Sequence, residues 1–356
     1  MSHIKVEVIA LRDLRPHPNA DALELATVGG WQLCVKKGAH RNGDAVVYFE
    51  AGTALPPEVA DRLLVRRYLA EKTDAFGQRV LVVQRIKLRG EASFGLAVLP
   101  EPGMQLGQDV REHYGATKFF PPLRTTAGDA ESDDPRFPAY TEIENLRSYP
   151  DVLQPGEEVV ISEKIHGTNA RVGFVAESHD GERVLRWRAG SRTVRRKEPL
   201  DAAARAQNTY WFPLALLGVE ALLRELFEQG HERAVLYGEV FGPGIQAYRY
   251  GQATIGFRAF DLLVDDGFLD HDDFAATCAR HGVELAPALH RGAYDLAAVR
   301  RLSEGPSLLG GPDVREGVVV KPITERTHPQ IGRVILKYLG DAYLFGSAAE
   351  QDTTDQ

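Results

Sequence analysis

Hydrophobic and polar positions fall into two regimes along this chain. From residue 4 to about 100, short apolar runs (IKVEVIAL, ELATV, WQLCVKKG, DAVVYFEA, RVLVVQRIKL and GLAVLP) are separated by turns of Pro, Gly, Asn and Asp. Runs of that length and spacing predict a small β-barrel or sandwich. From 137 onward the runs EEVVISEKI, NARVGFVAE, RVLRWRAG, AVLYGEVFG, IGFRAFDLLV, EGVVVKP and RVILKYL read as strands, and 201 to 229 reads as an amphipathic helix. The second region is therefore expected to be an α+β domain with much antiparallel sheet. Between them PPLRTTAGDAESDDP has the composition of a linker. The expected division is a β-barrel domain over 1–115, a linker over 116–136, a second domain over 137–347 and a tail over 348–356. No internal repeat is visible.

With 356 residues, 44% of them hydrophobic, the chain can bury two cores, and disorder throughout is excluded. No apolar run reaches the length of a membrane span, and MSHIKVEVIALRDL lacks the order of a signal peptide. A soluble cytoplasmic monomer that makes no membrane contact is the expectation. The two cysteines, Cys34 and Cys278, lack metal or disulfide spacing and are expected to be buried. A net charge of −8 opposes a polyanionic partner overall. Distribution alters that picture: residues 183 to 197 hold seven Arg or Lys and no acid, while acids gather in 128–134 and 265–273. A locally basic surface is expected on an acidic protein.

The candidate chemistry begins at Glu163-Lys164-Ile165-His166-Gly167-Thr168-Asn169, a strand end opening into a polar turn. A lysine with an ordinary pKa of about 10.4 is mostly protonated at neutral pH, so use as a nucleophile requires desolvation or a neighbouring cation. Gly167 lets the backbone come close to a phosphate. Alone, Lys-x-x-Gly means little.

Its surroundings carry a resemblance. EKIHGTN resembles motif I of the phage T4 RNA ligase 2 group of covalent nucleotidyltransferases, and the later motifs follow in order. They are Ser191-Arg192, Tyr237-Gly238-Glu239-Val240-Phe241-Gly242, Phe257-Arg258-Ala259-Phe260-Asp261, Arg315-Glu316-Gly317-Val318-Val319-Val320-Lys321 and Val334-Ile335-Leu336-Lys337. Phe137–Asn145 is similar to the start of that group's catalytic domain. In the first region, Arg15-Pro16-His17-Pro18-Asn19-Ala20-Asp21 resembles the first hairpin of tRNA-binding OB-fold modules. An OB-fold placed before the ligase motifs, with 19 residues after Lys337, resembles the Deinococcus-type RNA ligases and a related protist RNA ligase.

The resemblance implies an ATP-dependent RNA ligase that uses Mg or Mn and joins a 3′-OH to a 5′-phosphate. It further implies RNA, or a nicked duplex with an RNA 3′-OH end, as partner, and nucleic-acid repair as role. Lys164 would carry AMP. Glu163, Ile165, His166, Gly167, Asn169, Arg192, Glu239, Phe260, Lys321 and Lys337 would bind the nucleotide, and Glu316 the metal. Arg192 would grip phosphate, Glu239 the ribose, and Phe260 the adenine face. The last motif offers one lysine where that group has two, so Lys321 is the expected substitute. In the OB-fold, Lys87 and Arg89 beside the Gly90 turn are the expected nucleic-acid contacts. Two other readings stay open: a GTP-using capping guanylyltransferase, and a non-catalytic RNA-binding protein built on the OB-fold.

Overall fold

The computed structural model describes residues 4–120 and 129–346. The expected tail 348–356 and the centre of the expected linker, 121–128, lie outside the described residues. Contacts divide the chain into two compact units, the first mainly Met1–Arg124 with Glu144–Asp151, the second Thr125–Ile143 with Val152–Asp352.

The first unit is all strand apart from two short helical turns. Ala45–Phe49 lies between Val6–Ala10 and Leu96–Val98 in one antiparallel sheet. Arg12–Pro16, Leu23–Val28 and Trp31–Lys36 form a meander, and Thr117–Lys118, Thr53–Leu55, Arg79–Val83 and Leu69–Thr73 form a third sheet in that order. Val6, Val8, Val47, Phe49, Leu55, Val83, Val110 and Tyr114 fill the interior between them. Among the described residues no sheet closes into a barrel; the strands stay in separate sheets around that core. Residues 144–151 join this unit because the Arg147 guanidinium lies 5.2 Å from the Trp31 ring and 4.9 Å from that of Phe94. The Trp31 indole N–H donates to Ser148 Oγ at 3.2 Å, and Ser148 Oγ donates to Glu50 at 2.7 Å.

The second unit faces two antiparallel sheets toward each other. The larger runs Ala130–Glu131, Arg195–Arg196, Glu182–Ser191, Thr168–His179, Arg233–Phe241, Gly256–Val264, Gly267–Phe268. The smaller contains Leu336–Leu339, Gly317–Pro322, Glu158–Lys164 and Ala288–Ala293. On its outer face the larger sheet buries Val172, Phe174, Leu236 and Leu262 beneath Leu222, Leu223 and Leu226 of helix Leu217–Glu228. Its inner face meets the smaller sheet through Phe137, Tyr140, Val235, Tyr237, Leu263 and Ile335, with Val319 and Phe260 packed alongside.

The single helix expected over 201–229 is broken. Asp201 caps Ala202–Gln207 by accepting from the Ala204 N–H at 2.8 Å. Asn208 then stops it, its side chain accepting from the Tyr210 N–H at 3.0 Å, and Pro213 sits in a 3-10 turn before the helix resumes at Leu217. Cys278 is buried as expected, whereas Cys34 is only partly so. No helix among the described residues is long and apolar enough to cross a membrane.

The two sheets are joined by a buried charge network. Asp261, fully buried, accepts from Lys321 Nζ at 2.6 Å, Tyr140 Oη at 2.5 Å and an Arg333 amine at 2.8 Å. Arg333 also donates to both oxygens of Glu325, at 2.7 and 2.5 Å. Burial alone would raise the pKa of Asp261, but Lys321 and Arg333 outweigh it and hold the carboxyl below its usual range. Two cations facing two carboxylates leave the network neutral. Because the folded-state pKa is depressed, this stabilisation is complete above about pH 4 and is lost as pH falls through the folded value. Asp261→Asn is expected to cost about 3–5 kcal/mol in denaturant unfolding near neutral pH, by leaving buried cations in excess. Its stability should also fall less steeply than the wild type's on acidification. A neutral-pH loss below about 1 kcal/mol would contradict this account of the network.

Candidate active site

Strand register sets the centre of the site. Lys164 is the last residue of Glu158–Lys164 and lies opposite Gly317, so Glu316, just before that glycine, reaches the lysine at the strand ends. Lys164 Nζ stands 2.5 Å from Glu316 Oε1, with the lysine side chain 18% exposed and the carboxylate 3%. Lys337 is opposite Val319, which is opposite Ser162. Alternation along the strands therefore puts Lys337 on the same face as Lys164.

The larger sheet supplies the facing wall. Asn169 and Glu239 are cross-strand neighbours, with Arg258 next in the same row. They share the face of Tyr237 and Val235, which packs against Val319. Asn169 and Glu239 thus look toward the sheet that carries Lys164 and Lys337. Phe260 sits at a register break beside Asp261, its ring 4.8 Å from that of Tyr140. Arg192 follows the strand Glu182–Ser191, is 42% exposed, and lies 3.9 Å from Glu142.

Gly167 is required by close approach. A Cβ there would lie 2.3 Å from the Val240 carbonyl oxygen and 2.9 Å from Glu239 Cγ. Gly317 is similarly constrained: its φ is +156°, and a Cβ would stand 2.3 Å from the Tyr338 carbonyl oxygen. Both glycines adjoin the centre, one in the turn after Lys164 and the other next to Glu316.

Two expected nucleotide ligands are otherwise engaged. Glu163 points to the opposite side of its strand from Lys164, where it accepts from Ser307 Oγ at 2.5 Å and the Leu308 N–H at 2.8 Å. Arg315 Nε lies 3.6 Å from it, and the same guanidinium donates to the carbonyls of Leu302, Glu304 and Pro306. Glu163 and Arg315 therefore fasten the 302–308 loop. Lys321, expected to supply the spare cation, is 4% exposed and donates to Asp261 at 2.6 Å. Ile165 is buried in the core.

His166 has a setting the sequence did not announce. The ring is 3% exposed and stands 4.8 Å from Tyr248 and 5.6 Å from Tyr343. Its Nδ1 is 3.4 Å from Tyr343 Oη and 3.7 Å from Glu316 Oε2, while its backbone N–H donates to Tyr250 Oη at 2.6 Å. Burial, with Asp313 and Glu316 nearby, pushes the Tyr248 phenol up to about 12, so it remains a neutral hydroxyl. The available signal was the AYRYG segment and the Tyr of GDAYL, neither of which has a periodicity that singles it out.

In the first unit, Lys87 and Arg89 are exposed on the hairpin Arg85–Leu88/Glu91–Phe94, whose tip has positive φ at Arg89 and Gly90. The RPHPNAD segment holds that tip: a His17 ring nitrogen is 3.0 Å from the Leu88 carbonyl, and Asn19 Nδ2 donates to the Arg89 carbonyl at 3.0 Å. The long basic run does not form an open basic surface. Arg186 and Arg188 pair with Glu177 at 3.4 and 2.8 Å, Arg195 with Glu131 at 3.1 Å, and Arg196 with Asp129 at 2.5 Å. The acidic run 128–134, read separately in the sequence, supplies much of that neutralisation.

Comparison with known proteins agrees with this architecture. Residues 157–339, a little over half the chain, match the RNA ligase family, and residues 5–100 match an OB-fold domain model. No curated protein matches the sequence. Among solved structures, Naegleria gruberi RNA ligase with PPi is 24% identical with a TM-score of 0.74, covering 96% of this chain and 98% of that one. A mutant of that ligase with AMP and Mn is 23% identical with a TM-score of 0.75, covering 95% and 97%. Another, with ATP and Mn, is 23% identical with a TM-score of 0.73, covering 95% and 98%. At these identities the likeness is one of fold. The family match spans the strands that carry Lys164, Glu239, Glu316 and Lys337, and this chain belongs to the RNA ligase family.

Proposed function

We propose that this RNA ligase uses ATP and seals a 3′-OH to a 5′-phosphate through AMP carried on Lys164, acting on nicked duplexes with an RNA 3′-OH end in nucleic-acid repair. The observation that carries the reading is the 2.5 Å contact between Lys164 and Glu316 at adjoining strand ends, with Lys337 on the same face. The Naegleria ligase structures with ATP and Mn support the choice of nucleotide and metal.

Three transfers follow. Lys164 Nζ forms a bond to the α-phosphorus, the α–β bond breaks and pyrophosphate leaves. An oxygen of the 5′-phosphate next attacks that phosphorus, and the amine leaves as the P–N bond breaks. Finally the 3′-OH attacks the 5′-phosphorus and AMP departs. Each step needs alignment and charge neutralisation more than covalent help from further side chains. Lys337 serves the α-phosphate, Asn169 and Glu239 the sugar edge, Phe260 the base, and Arg192 the phosphates of the nucleotide or the incoming end. Lys87 and Arg89 hold the polynucleotide.

A carboxylate 2.5 Å away favours the ammonium form of Lys164, so the pair must part before the amine attacks. Glu316 fits a divalent ion: its second oxygen is buried without a hydrogen-bond partner. No group of three or more His, Cys, Asp or Glu side chains poised for a metal occurs among the described residues. The remaining ligands would come from phosphate and water, as suits Mg or Mn. When bound, the ion would neutralise charge developing on the triphosphate.

The test is to load the protein with nucleotide labelled at the α-phosphorus and chase it with nicked duplexes differing only in the sugar at the 3′-OH end. ATP should label and GTP should not, and a ribose end should be sealed faster than a deoxyribose end. Labelling by GTP alone would overturn the nucleotide assignment, and equal sealing of both ends would overturn the RNA assignment. Gly167→Ala should lower the unfolding midpoint, because the added Cβ meets the Val240 carbonyl, and should slow labelling at least 100-fold at temperatures where the variant is folded, since displacement of a positioning element by about 1 Å is costly. Wild-type labelling by Gly167→Ala would mean that the close approach to Glu239 has no catalytic role.

A further inference from the structure

The segment 129–134 carries four acids in six residues, and it lies along the arginine-rich edge of the larger sheet. Among the described residues its sheet pairing is Ala130 and Glu131 against Arg196 and Arg195, extended by the Lys197 N–H donating to the Asp129 carbonyl at 2.8 Å. Residues 130 to 133 are exposed, so little apolar burial holds the segment down. What holds it is charge. Asp129 meets Arg196, Glu131 meets Arg195, and Asp134 lies 3.8 Å from both Arg188 and Arg195.

Arg188 and Arg195 belong to the wall of the candidate site, whereas Arg196, opposite Ala189, lies on the outer face over the Tyr210 ring. Arg195 is opposite Gly190, Gly190 is opposite Arg171, and Arg188 is opposite Gly173. Alternation therefore puts Arg186, Arg188 and Arg195 on the sheet face that also carries Asn169 and Glu239. The row continues from Arg192, the turn residue between the two paired strands. The acidic segment satisfies it incompletely: Arg188 Nε is buried and makes no hydrogen bond, with Asp134 3.8 Å away. An arginine fork prefers paired donation to planar carboxylate or phosphate oxygens.

We propose that Arg188 and Arg195 form a binding surface for the sugar-phosphate backbone of the polynucleotide, and that residues 129–134 are an acidic strap which occupies it until nucleic acid displaces them. The proposal rests on the RNA ligase reading for the nature of its partner. The carboxylates of Asp129 and Glu131 reach solvent, 41% and 35% exposed, so salt and competing anions weaken their pairs with the arginines. A polyanion that offers several phosphates at once can replace them, with release of its counterions. The strap thus lets an acidic protein keep an arginine row without indiscriminate attraction to anions.

The experiment compares wild type with Asp129→Asn/Glu131→Gln, whose altered side chains lie away from Lys164 and Glu316. Binding of a fluorescein-labelled nicked duplex is followed by anisotropy over a salt series. The double variant should bind about 3- to 10-fold more tightly, with a steeper salt dependence. Adding Arg195→Gln should abolish the gain. In the wild type, hydrogen exchange at the Lys197 amide should accelerate when duplex is added. Unchanged affinity in the double variant, a gain that survives Arg195→Gln, or a Lys197 amide unaffected by duplex would each overturn the strap. Labelling of the same proteins by ATP, which needs no polynucleotide, reports separately on the ligase reading.

Discussion

The contact between Lys164 and Glu316 is the constraint around which the second unit is arranged. Two antiparallel strands must end in register for it to form, and the register is fixed by Lys164 lying opposite Gly317. The glycine has no Cβ to strike the Tyr338 carbonyl, and Gly167 likewise lets the turn after Lys164 lie against Val240 and Glu239. Glu163 and Arg315, each adjacent in sequence to one member of the pair, turn the other way and fasten the 302–308 loop. Neighbouring residues of opposite orientation thus divide the work, one pair facing the reaction and the other the support.

Charge is organised differently at different depths. Asp261 and Lys321 are deeply buried, Arg333 and Glu325 partly so, and the four balance one another as they join the two sheets. That commitment leaves Lys321, at the end of a ligase-like motif, paired with a carboxylate. Toward the surface, the opposing runs at 129–134 and 183–197 meet in pairs that solvent partly screens. A pair of the first kind is costly to break singly, whereas one of the second kind is easily exchanged.

The strands were legible in the sequence because β-branched and aromatic residues concentrate in them, and all seven runs expected after residue 137 contain strand. The helix over 201–229 was legible only in part, since one Asn and one Pro override a continuous amphipathic pattern. Within the site, the order of motifs singled out Lys164, Glu316 and Lys337, and strand pairing brings them together on one sheet. Side-chain direction was less accessible: nothing in EKIHGTN says that Glu163 is buried against Ser307, or that His166 enters a group formed by Tyr248, Tyr250 and Tyr343. Those contacts join residues more than 80 positions apart in sequence. Pairing between distant charge runs was invisible for the same reason, because composition locates charges without saying which ones fold together.

The most direct measurement is the position of the nucleotide on the protein after incubation with ATP and divalent metal, determined by peptide mapping of the isolated adduct. The account predicts a single AMP on the peptide containing Lys164, joined through a phosphoramidate that acid cleaves, and no adduct on Lys164→Ala. AMP attached at another residue, or an adduct that persists in Lys164→Ala, would contradict it.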